Sequence, residues 1–597
     1  MTQALDLVIR NGTVVDGSGA VPFVADVGVS GDRIVAVGQI SERGRTEIDA
    51  KGLIVTPGFV DVHTHYDGQV TWENRLVPSS AHGVTTVVMG NCGVGFAPCR
   101  PEQHDLLIRL MEGVEDIPHP VLVEGVPWEW ESYPEYLKFL AGRQYDMDIC
   151  GYLPHAALRV YVMGQRGADR EPATPADIAQ MRLLLREAMD AGAMGFSTSR
   201  TYFHRSSDGT TAPTFAAAEE ELTGLALELK ACGKGAIQLI VDFEDVDAAF
   251  GCMRRLVECS GRPLSFTLLE GALGPLSMQW LEVLDRVVQA NAEGLPIKAQ
   301  VLSRAVGLLF GHELTLNPFY STESYRALAD LAFDARIAQL RLPEVRARIV
   351  AEPVDMDPAN ILGRLVRDFE HMYELGDPPN YEPDPESSVA SRARRQGVSS
   401  EELAFDLMLE SGGRSLLYFA AANYAHGSLD TCLAMMQHPG AILGLGDGGA
   451  HCGTICDGSA PTFALTHWAR DRTRGARLPL EQIVKSLCRE TAEALGLLDR
   501  GLVAPGYKAD LNVIDLDKLR LHSPEVAYDL PAGGRRLLQR ADGYAATIVS
   551  GNVVYRNGAP TGALPGRLVR GPQTMPMPMP MPMTMKMTAA TQEEPNG

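Results

Sequence analysis

The chain has 597 residues, enough for a large hydrophobic core and for more than one domain. Its 53 basic and 75 acidic residues give a net charge of −22, which argues against nucleic acid and anionic membranes as partners because both would repel it. No apolar run approaches the roughly 20 residues of a membrane span, and the start lacks the features of a signal peptide. Ten cysteines without a CxxC pair indicate reduced thiols, so a cytoplasmic location is predicted.

Strands are predicted first at the N-terminal end of the chain. The stretch "DLVIRNGTVVDGSG" has apolar runs on both sides of Asn11-Gly12, which is a strong hairpin signal. Similar runs return in "ADLNVIDL" and "ATIVSGNVVYRNG", residues 509–516 and 546–558. The sequence therefore predicts a small β-sandwich domain built from both ends, residues 1–57 and 501–570.

Between these ends, short apolar runs alternate with amphipathic helical stretches such as "ADIAQMRLLLREAMDAG". The runs lie near residues 58–65, 83–90, 147–153, 190–197, 235–241, 262–268, 295–301 and 441–447. Strand–helix alternation indicates a parallel sheet, and eight units predict an α/β fold with a TIM-like (β/α)₈ barrel over residues 58–500.

Two segments fall outside the eight units. About 303–430, stretches such as "SYRALADLAFDARIAQL" and "EELAFDLML" predict a helical insertion that could cover the barrel mouth. Residues 571–597 are rich in alternating Met and Pro, which cannot continue a helix. We expect this tail to be disordered.

Four residues that can bind a metal follow predicted strands. His63 and His65 end the first run, in "TPGFVDVHTHYDG", Cys92 follows the second, and Asp447 ends the last, in "LGLGDGGAH". Functional residues of such barrels gather at these strand ends. Imidazole, thiolate and carboxylate are ligands that zinc accepts. Bound Zn²⁺ would lower the pKa of its water, and Asp447 would combine metal binding with catalytic proton transfer.

Each signal also has a structural explanation when taken alone. An isolated HxH pair is often incidental, a cysteine beside glycines often packs as a small residue, and an aspartate in "GDGG" can serve a turn. Their joint occurrence at strand ends favours a metal site. The stretch "GLGDGG" also matches a dinucleotide motif, but turn-forming residues follow it where a helix should begin, so we reject a nucleotide site.

The chain resembles the amidohydrolase superfamily, specifically its D-aminoacylase branch, the N-acyl-D-amino-acid deacylases. The matching stretches are "DLVIRNGTVVDGSG", "GLIVTPGFVDVHTHYD", "GVTTVVMGNCGVGFAP", "GAMGFSTSRTY", "LGLGDGGAH" and "GLVAPGYKADLNVID". They span nearly the whole chain, and "GNCGVGFAP" is typical of the branch. The resemblance implies a metal-bearing (β/α)₈ barrel with a flanking β-domain that hydrolyses amide bonds in acylated amino acids.

The chain departs from this family at two metal ligands. Where the family has a histidine after the fifth strand and another after the sixth, this sequence has Ile240 and Leu268. The family's carboxylate-binding lysine falls at Glu270, whose charge should repel a free carboxylate. We therefore expect one zinc ion, held by His63, His65 and Asp447 with Cys92 bridging or completing the site. Lys298 is an alternative ligand if carbamylated.

Five further polar residues follow predicted strands and are candidates for substrate binding. The resemblance implies this role for the tyrosine after the fourth strand, and for each of the five a surface or structural role is an equal alternative. The candidates are Arg159, Arg200, Tyr202, Arg304 and His451.

The sequence thus predicts a metal-dependent amidohydrolase that cleaves a non-peptide C–N bond, in an N-acyl amino acid or a related acylated amine. Two alternatives stay open. A hydantoin-like cyclic amide or imide hydrolase would avoid the free carboxylate that Glu270 disfavours, and a barrel without catalysis would serve as a binding protein. The expected partner is a small-molecule amide, without nucleic acid or membrane. A homo-oligomer is left open.

Overall fold

The computed structural model describes residues 5–271, 279–354 and 361–576. Buried parallel strands occur in the middle of the chain where the apolar runs predict them. We number the segments one to eight: Phe59–Asp61, Val84–Met89, Asp148–Gly151 continued by Leu153–Pro154, Gly195–Arg200, Ala236–Val241, Leu264–Thr267, Ile297–Val301 and Ala441–Leu443. Most are buried on both faces, which is typical of a parallel sheet covered by helices.

The eight segments are neighbours in chain order. Segments one to three form a parallel sheet, and the second part of segment three continues into a six-stranded sheet that ends with segment eight. Beyond the strands, the Asp447 N–H donates to the His63 carbonyl at 3.1 Å and the His65 N–H donates to the Gly448 carbonyl at 2.8 Å. These bonds join the ends of segments one and eight, so the carboxyl ends of these two strands meet at one place.

Helices connect the segments. Between segments one and eight, outside the insertion, they are Gln69–Trp72, His104–Glu115, His119–Gly125, Tyr133–Ala141, His155–Met163, Gln165–Ala168, Pro175–Ala191, Glu219–Cys232, Val246–Ser260, Gln279–Ala292 and Asp430–Gln437; Ala460–Phe463, Leu480–Lys485 and Thr491–Ala494 follow. Local sequence sets their ends. Thr174 and Asp177 form a reciprocal capping box at the start of Pro175–Ala191, and Gly192, with φ of 113°, ends that helix in a left-handed conformation.

Both ends of the chain contribute to one mixed sheet, which we call the terminal sheet. Its strands are Leu5–Val14, Phe23–Ser30, Arg33–Gly38, Gly44–Asp49, Ile54–Pro57, Leu511–Ile514, Tyr544–Val549, Asn552–Arg556 and Ala559–Pro560. The sequence predicts a sandwich, whereas these strands are joined in one branched sheet. The reason is the long first strand, whose early residues pair with Gly44–Asp49 and whose last residues pair with Ile54–Pro57. An irregularity between Ile9 and Gly12 separates the two parts.

Residues 303–429, which lie between segments seven and eight and which we call the insert, contain strands as well as the predicted helices. Its helices are Glu323–Arg326, Phe333–Leu340, Pro343–Ala351, Ile361–Leu365, Val389–Gln396, Ser400–Met408 and Glu410–Gly413. They pack around an antiparallel sheet of Val306–Phe310, Met372–Glu374 and Leu417–Ala422. Short hairpin strands also occur after segment eight, at Arg520–Leu521, Glu525–Leu530, Gly534–Leu538 and Ala541–Asp542.

Most of the Met/Pro-rich tail, residues 577–597, lies outside the described residues. The described start of the tail is attached to the rest of the chain, because the Leu498 N–H donates to the Gln573 carbonyl at 3.1 Å. Among the helices that the structure describes, none combines the length and apolar composition needed to cross a bilayer.

Candidate metal centre

Three of the predicted ligands lie together in a buried cluster. The donor atoms of His63, His65 and Cys92 lie within 4.8 Å of one another. Cys92 Sγ is 3.3 Å from His63 Nε2, and Asp447 Oδ1 lies 3.6 Å from His63 Nε2 and 3.7 Å from His65 Nε2. The structure thus brings all four predicted ligands to one site, with Asp447 the most exposed at 20%.

The chain turns sharply at the residues that hold these donors. Cys92 and Asp447 have φ of 57° and 45°, a left-handed conformation that is uncommon outside glycine. The Cys92 N–H donates to Gln238 Oε1 at 2.8 Å, and the Asp61 carboxylate accepts the His63 N–H at 3.1 Å. Side chains of the parallel strands therefore fix the backbone on which the donors stand.

Hydrogen bonds around the ring orient His63 for metal binding. Its Nδ1 is 2.6 Å from Gln300 Oε1, while Gln300 Nε2 donates to Ser265 Oγ at 3.0 Å. The amide oxygen therefore faces the ring, so Nδ1 carries the proton and Nε2 is free to bind an ion. His65 has a carboxylate in the equivalent place, with Glu115 Oε1 3.2 Å from its Nδ1.

The charges at this site suit a cation. Burial raises the pKa of Asp447, Glu115 and the Cys92 thiol well above their usual ranges, and repulsion by nearby carboxylates raises each of these pKa values further. Burial also lowers the pKa of His63 to about 4. A divalent ion would stabilise the anionic acids and thiolate and would bind the neutral imidazoles, so the residues present fit zinc.

Gly446 places Asp447 correctly only because it has no side chain. A Cβ there would collide with Asp61 Oδ2, a buried group that also holds the His63 backbone. We predict that Gly446→Ala costs about 1–3 kcal/mol of folding stability through overpacking and lowers turnover by displacing Asp447. Urea unfolding and kinetics would check this. Gly251→Ala is the matched control, because this glycine lies on the helix Val246–Ser260 and an added Cβ there meets only the end of the flexible Arg255 side chain. Equal losses of stability and turnover in both variants would contradict the prediction.

Two predicted substrate-binding arginines are engaged in buried ion pairs. Arg159, on the helix His155–Met163, bonds to the Glu221 carboxylate and to the Glu171 carbonyl. Arg304 donates to Asp457 Oδ1 at 2.8 Å and lies 4.0 Å above the Tyr381 ring. The contacts of both side chains are thus with protein groups.

The other three substrate candidates lie closer to open surface. Arg200 is half-buried, donates weakly to Cys252 Sγ at 3.7 Å, and has no ion pair within 4.0 Å among the described residues. The Tyr202 N–H donates to Asp242 Oδ2 at 2.9 Å, and its ring stacks on exposed Phe203. His451 is 23% exposed, with Nε2 3.7 Å from Glu115 Oε2.

The two apolar residues that replace the family's histidines pack with other apolar side chains. Ile240 is half-buried against the core and Leu268 is buried. The sequence predicts that Glu270 repels a substrate carboxylate, but its side chain is buried and already hydrogen-bonded. Its carboxylate accepts hydrogen bonds from Thr431 Oγ1 at 3.0 Å and from the Ala425 N–H at 3.3 Å. Its charge is therefore compensated within the protein.

Lys298 is also occupied away from the cluster. Its Nζ donates to the Pro439 carbonyl at 2.6 Å, and the described metal cluster does not include it.

Sequence reasoning missed three polar residues around the cluster. Gln300 and Glu115 contact His63 and His65 directly. His204, bonded to Ser199 Oγ at 2.9 Å, is close enough for His63 and His451 to influence its pKa, which burial lowers first, to about 3. Two of them lie near strand ends, where functional residues are expected, since Gln300 is the penultimate residue of segment seven and His204 follows segment four. Glu115 ends a helix, where no strand-end rule applies.

Contact from the C-terminal part of the chain supports the loop that carries Asp447 and His451. The Leu537 N–H donates to the Cys452 carbonyl at 2.7 Å. Nearby, the Gln539 side-chain oxygen Oε1 accepts a hydrogen bond from Ser459 Oγ at 2.5 Å. The Gln539 backbone carbonyl lies 2.8 Å from His82 Nε2. The loop after segment eight therefore packs between segment one and the hairpin Glu525–Leu530/Gly534–Leu538.

Comparison with known proteins gives consistent matches. The pattern of the amidohydrolase family matches residues 46–555. A D-aminoacylase of Alcaligenes xylosoxydans xylosoxydans is 37% identical over 202 residues, which is 34% of this chain and 39% of that protein. The match thus spans well under half of that relative.

Two solved structures resemble the whole fold. A D-aminoacylase, described by its binuclear metal centre with one-metal activation, has a TM-score of 0.64 and 23% identity, covering 95% of this chain and all of that chain. An N-acyl-D-glutamate deacylase from Bordetella bronchiseptica, complexed with zinc and a phosphonate inhibitor, has a TM-score of 0.63 and 22% identity with the same coverage. At these identities the likeness shows the fold.

These matches confirm the resemblance inferred from the sequence motifs and the predicted class of enzyme, a metal-dependent hydrolase of carbon–nitrogen bonds other than peptide bonds. The family pattern covers the candidate metal cluster and, in the terminal sheet, the strands Ile54–Pro57, Leu511–Ile514 and Tyr544–Val549. The chain belongs to the amidohydrolase family.

Proposed function

We propose that this protein hydrolyses the amide bond of N-acyl amino acids, using one zinc ion held by His63, His65, Cys92 and Asp447. The observation that carries the proposal is the buried set of two imidazoles and a thiol within 4.8 Å, with the Asp447 carboxylate beside it. We also propose that the eight parallel segments close into a (β/α)₈ barrel. Their sequential order and the backbone bonds between the ends of segments one and eight support closure.

The chain's own residues have distinct roles in this reaction. Zinc, when bound, polarises the substrate carbonyl and lowers the pKa of water at the site. Asp447 accepts a proton from the attacking water and delivers it to the leaving nitrogen. Its carboxylate lies at the more exposed side of the cluster, where a substrate can approach. Gln300 holds His63 in the required tautomer.

Arg200 is the favoured ligand for the substrate carboxylate. Arg159 and Arg304 are both engaged by buried acids, whereas Arg200 has no ion pair within 4.0 Å among the described residues. Arg200 also ends segment four, next to the loop of Tyr202 and His204. An arginine can bind a carboxylate through two parallel hydrogen bonds.

The contacts of Glu270 weaken the case for a cyclic amide substrate. That alternative depended on a free charge that would repel a carboxylate, but Glu270 is buried and accepts hydrogen bonds from Thr431 and Ala425. The non-catalytic alternative is disfavoured because four donors of the kind zinc binds remain together.

The test measures metal content and turnover in the same preparations. We expect about one zinc ion per chain in protein purified without added metal, and none in the His63→Ala/His65→Ala variant, because both imidazoles are central to the cluster. The wild type should hydrolyse members of a panel of N-acetyl-D- and N-acetyl-L-amino acids. Chelation should remove this activity and zinc should restore it.

A matched control is His119→Ala/His438→Ala, which changes two histidines outside the cluster and should keep both zinc and turnover. Absence of metal from the wild type after incubation with zinc would overturn the metal site. Metal binding together with hydrolysis of hydantoins but not of N-acyl amino acids would overturn the substrate class.

A further inference from the structure

Glu115 is a buried carboxylate between the metal cluster and the loop of Asp447. It ends the helix His104–Glu115, and Asp116 follows with φ of 51°, which turns the chain away. Its side chain is 2% exposed. A carboxylate at such depth is costly unless other groups compensate it, so its partners indicate why it is there.

Both oxygens of Glu115 face imidazoles. Oε1 lies 3.2 Å from His65 Nδ1, and Oε2 lies 3.7 Å from His451 Nε2. The Glu115 carbonyl also accepts the His451 N–H. Within 4.0 Å, no arginine or lysine of the described chain pairs with this carboxylate, so the side chains that face it there are the two histidine rings.

The His65 ring has one nitrogen facing the cluster and one facing Glu115. Nε2 is directed towards Asp447 Oδ1, 3.7 Å away. Nδ1 is buried and forms no aligned hydrogen bond with any described residue, although Glu115 Oε1 is within reach. His63 shows the completed arrangement, since Gln300 Oε1 holds its Nδ1 at 2.6 Å.

We propose that Glu115 is a positioning residue for the metal centre: it holds the Nδ1–H of His65 so that Nε2 faces the ion, and it fixes His451 at the entrance. This inference rests on the proposed metal site. Carboxylates that hold a ligand histidine in this way raise its basicity, and their loss typically weakens metal binding by about 10–100-fold.

The test compares Glu115→Gln and Glu115→Ala with Glu112→Gln in the full chain. Glu112 lies one turn earlier on the same helix and is 3.6 Å from His119, so it forms a matched glutamate–histidine pair outside the cluster. Zinc affinity is measured by competition with a chelating dye. We expect about 10–100-fold weaker binding in Glu115→Ala, a smaller loss in Glu115→Gln, and no change in Glu112→Gln.

Cobalt in place of zinc separates positioning from general damage. The Co²⁺–thiolate absorption band should persist in both Glu115 variants, because Cys92 still binds, while Co²⁺ affinity falls as zinc affinity does. Thermal unfolding of the metal-free variants should stay close to that of the wild type for Glu115→Gln, which keeps the side-chain volume.

The outcomes distinguish the two levels of the proposal. A wild type that binds neither metal would overturn the metal site itself. If the wild type binds zinc and both Glu115→Gln and Glu115→Ala bind zinc as tightly as the wild type does, the role of Glu115 is overturned while the metal site stands. In a His451→Ala background, replacement of Glu115 should still weaken zinc binding; complete loss of this effect would show that Glu115 acts only through His451 and would overturn its role at His65.

Discussion

Asp447→Asn is expected to lower kcat/KM by about 10²–10⁴-fold, the range attributed to general acid–base groups, while the chain still folds. The amide cannot accept the proton of the attacking water, and it is a weaker metal ligand than a carboxylate. The substitution is well suited to the site because Asp447 has φ of 45°, a conformation that asparagine adopts as readily as aspartate. Asp447→Ala would add backbone strain and confuse the result.

The measurement is kcat/KM on the best N-acyl amino acid of the panel, with zinc content and circular dichroism recorded on the same samples. Asp406→Asn is the control, because Asp406 is a half-exposed aspartate on the helix Ser400–Met408 that pairs with Arg346. Turnover in Asp447→Asn within about twofold of the wild type would contradict its role in proton transfer.

Asp148→Asn is expected to destabilise the protein by about 3–5 kcal/mol, the usual cost of removing one partner from a buried ion pair. Asp148 Oδ2 is 2.9 Å from both Arg500 Nη1 and Lys508 Nζ, and all three side chains are at most 4% exposed. Asp510 shares Lys508 at 2.8 Å, so it compensates only part of the remaining positive charge.

The same aspartate predicts a loss of stability in acid. Burial alone would raise the pKa of Asp148, but Lys508 and Arg500 outweigh it and lower the pKa to about 2. Because this pKa lies below the unfolded value of about 3.9, the contribution is present above pH 4 and is lost as pH falls towards 2. Asp148→Asn should therefore show a smaller change in stability over this interval than the wild type.

Urea unfolding followed by circular dichroism measures both effects. Asp542→Asn is the matched control, since Asp542 pairs with Arg520 at the surface, where such pairs contribute about 0–1 kcal/mol. An Asp148→Asn protein as stable as the Asp542→Asn protein would contradict the importance of the buried cluster.

The convergence of the proposed metal ligands could be predicted because each follows a short apolar run. A parallel strand brings its last residues to a common edge, so His63, Cys92 and Asp447 converge in space although they are far apart in the chain. The eight strands were recognisable for the same reason. Buried strands need continuous apolar residues, and the loops between them need polar ones.

Other features depend on partners that sequence patterns do not reveal. Arg159 and Arg304 follow predicted strands, as the proposed metal ligands do, yet both form buried ion pairs, Arg159 with Glu221 and Arg304 with Asp457. From its sequence position alone, Glu270 is expected to present a free charge, whereas in the fold its carboxylate is hydrogen-bonded to Thr431 and Ala425. The branching of the terminal sheet likewise depends on how one long strand divides its pairing between two neighbours.

The hydrogen bond from Leu537 to Cys452 has a consequence for how this protein can be divided. The loop that carries Asp447 is supported by a hairpin almost 90 residues further along the chain, and Gln539, just after that hairpin, bonds to Ser459 and to His82. The eight strand–helix units are therefore not a self-contained body to which the C-terminal part of the chain is merely attached. Shortening the chain after residue 500, or transplanting those units alone into another scaffold, would keep every proposed metal ligand but remove the outer support of the loop that carries Asp447.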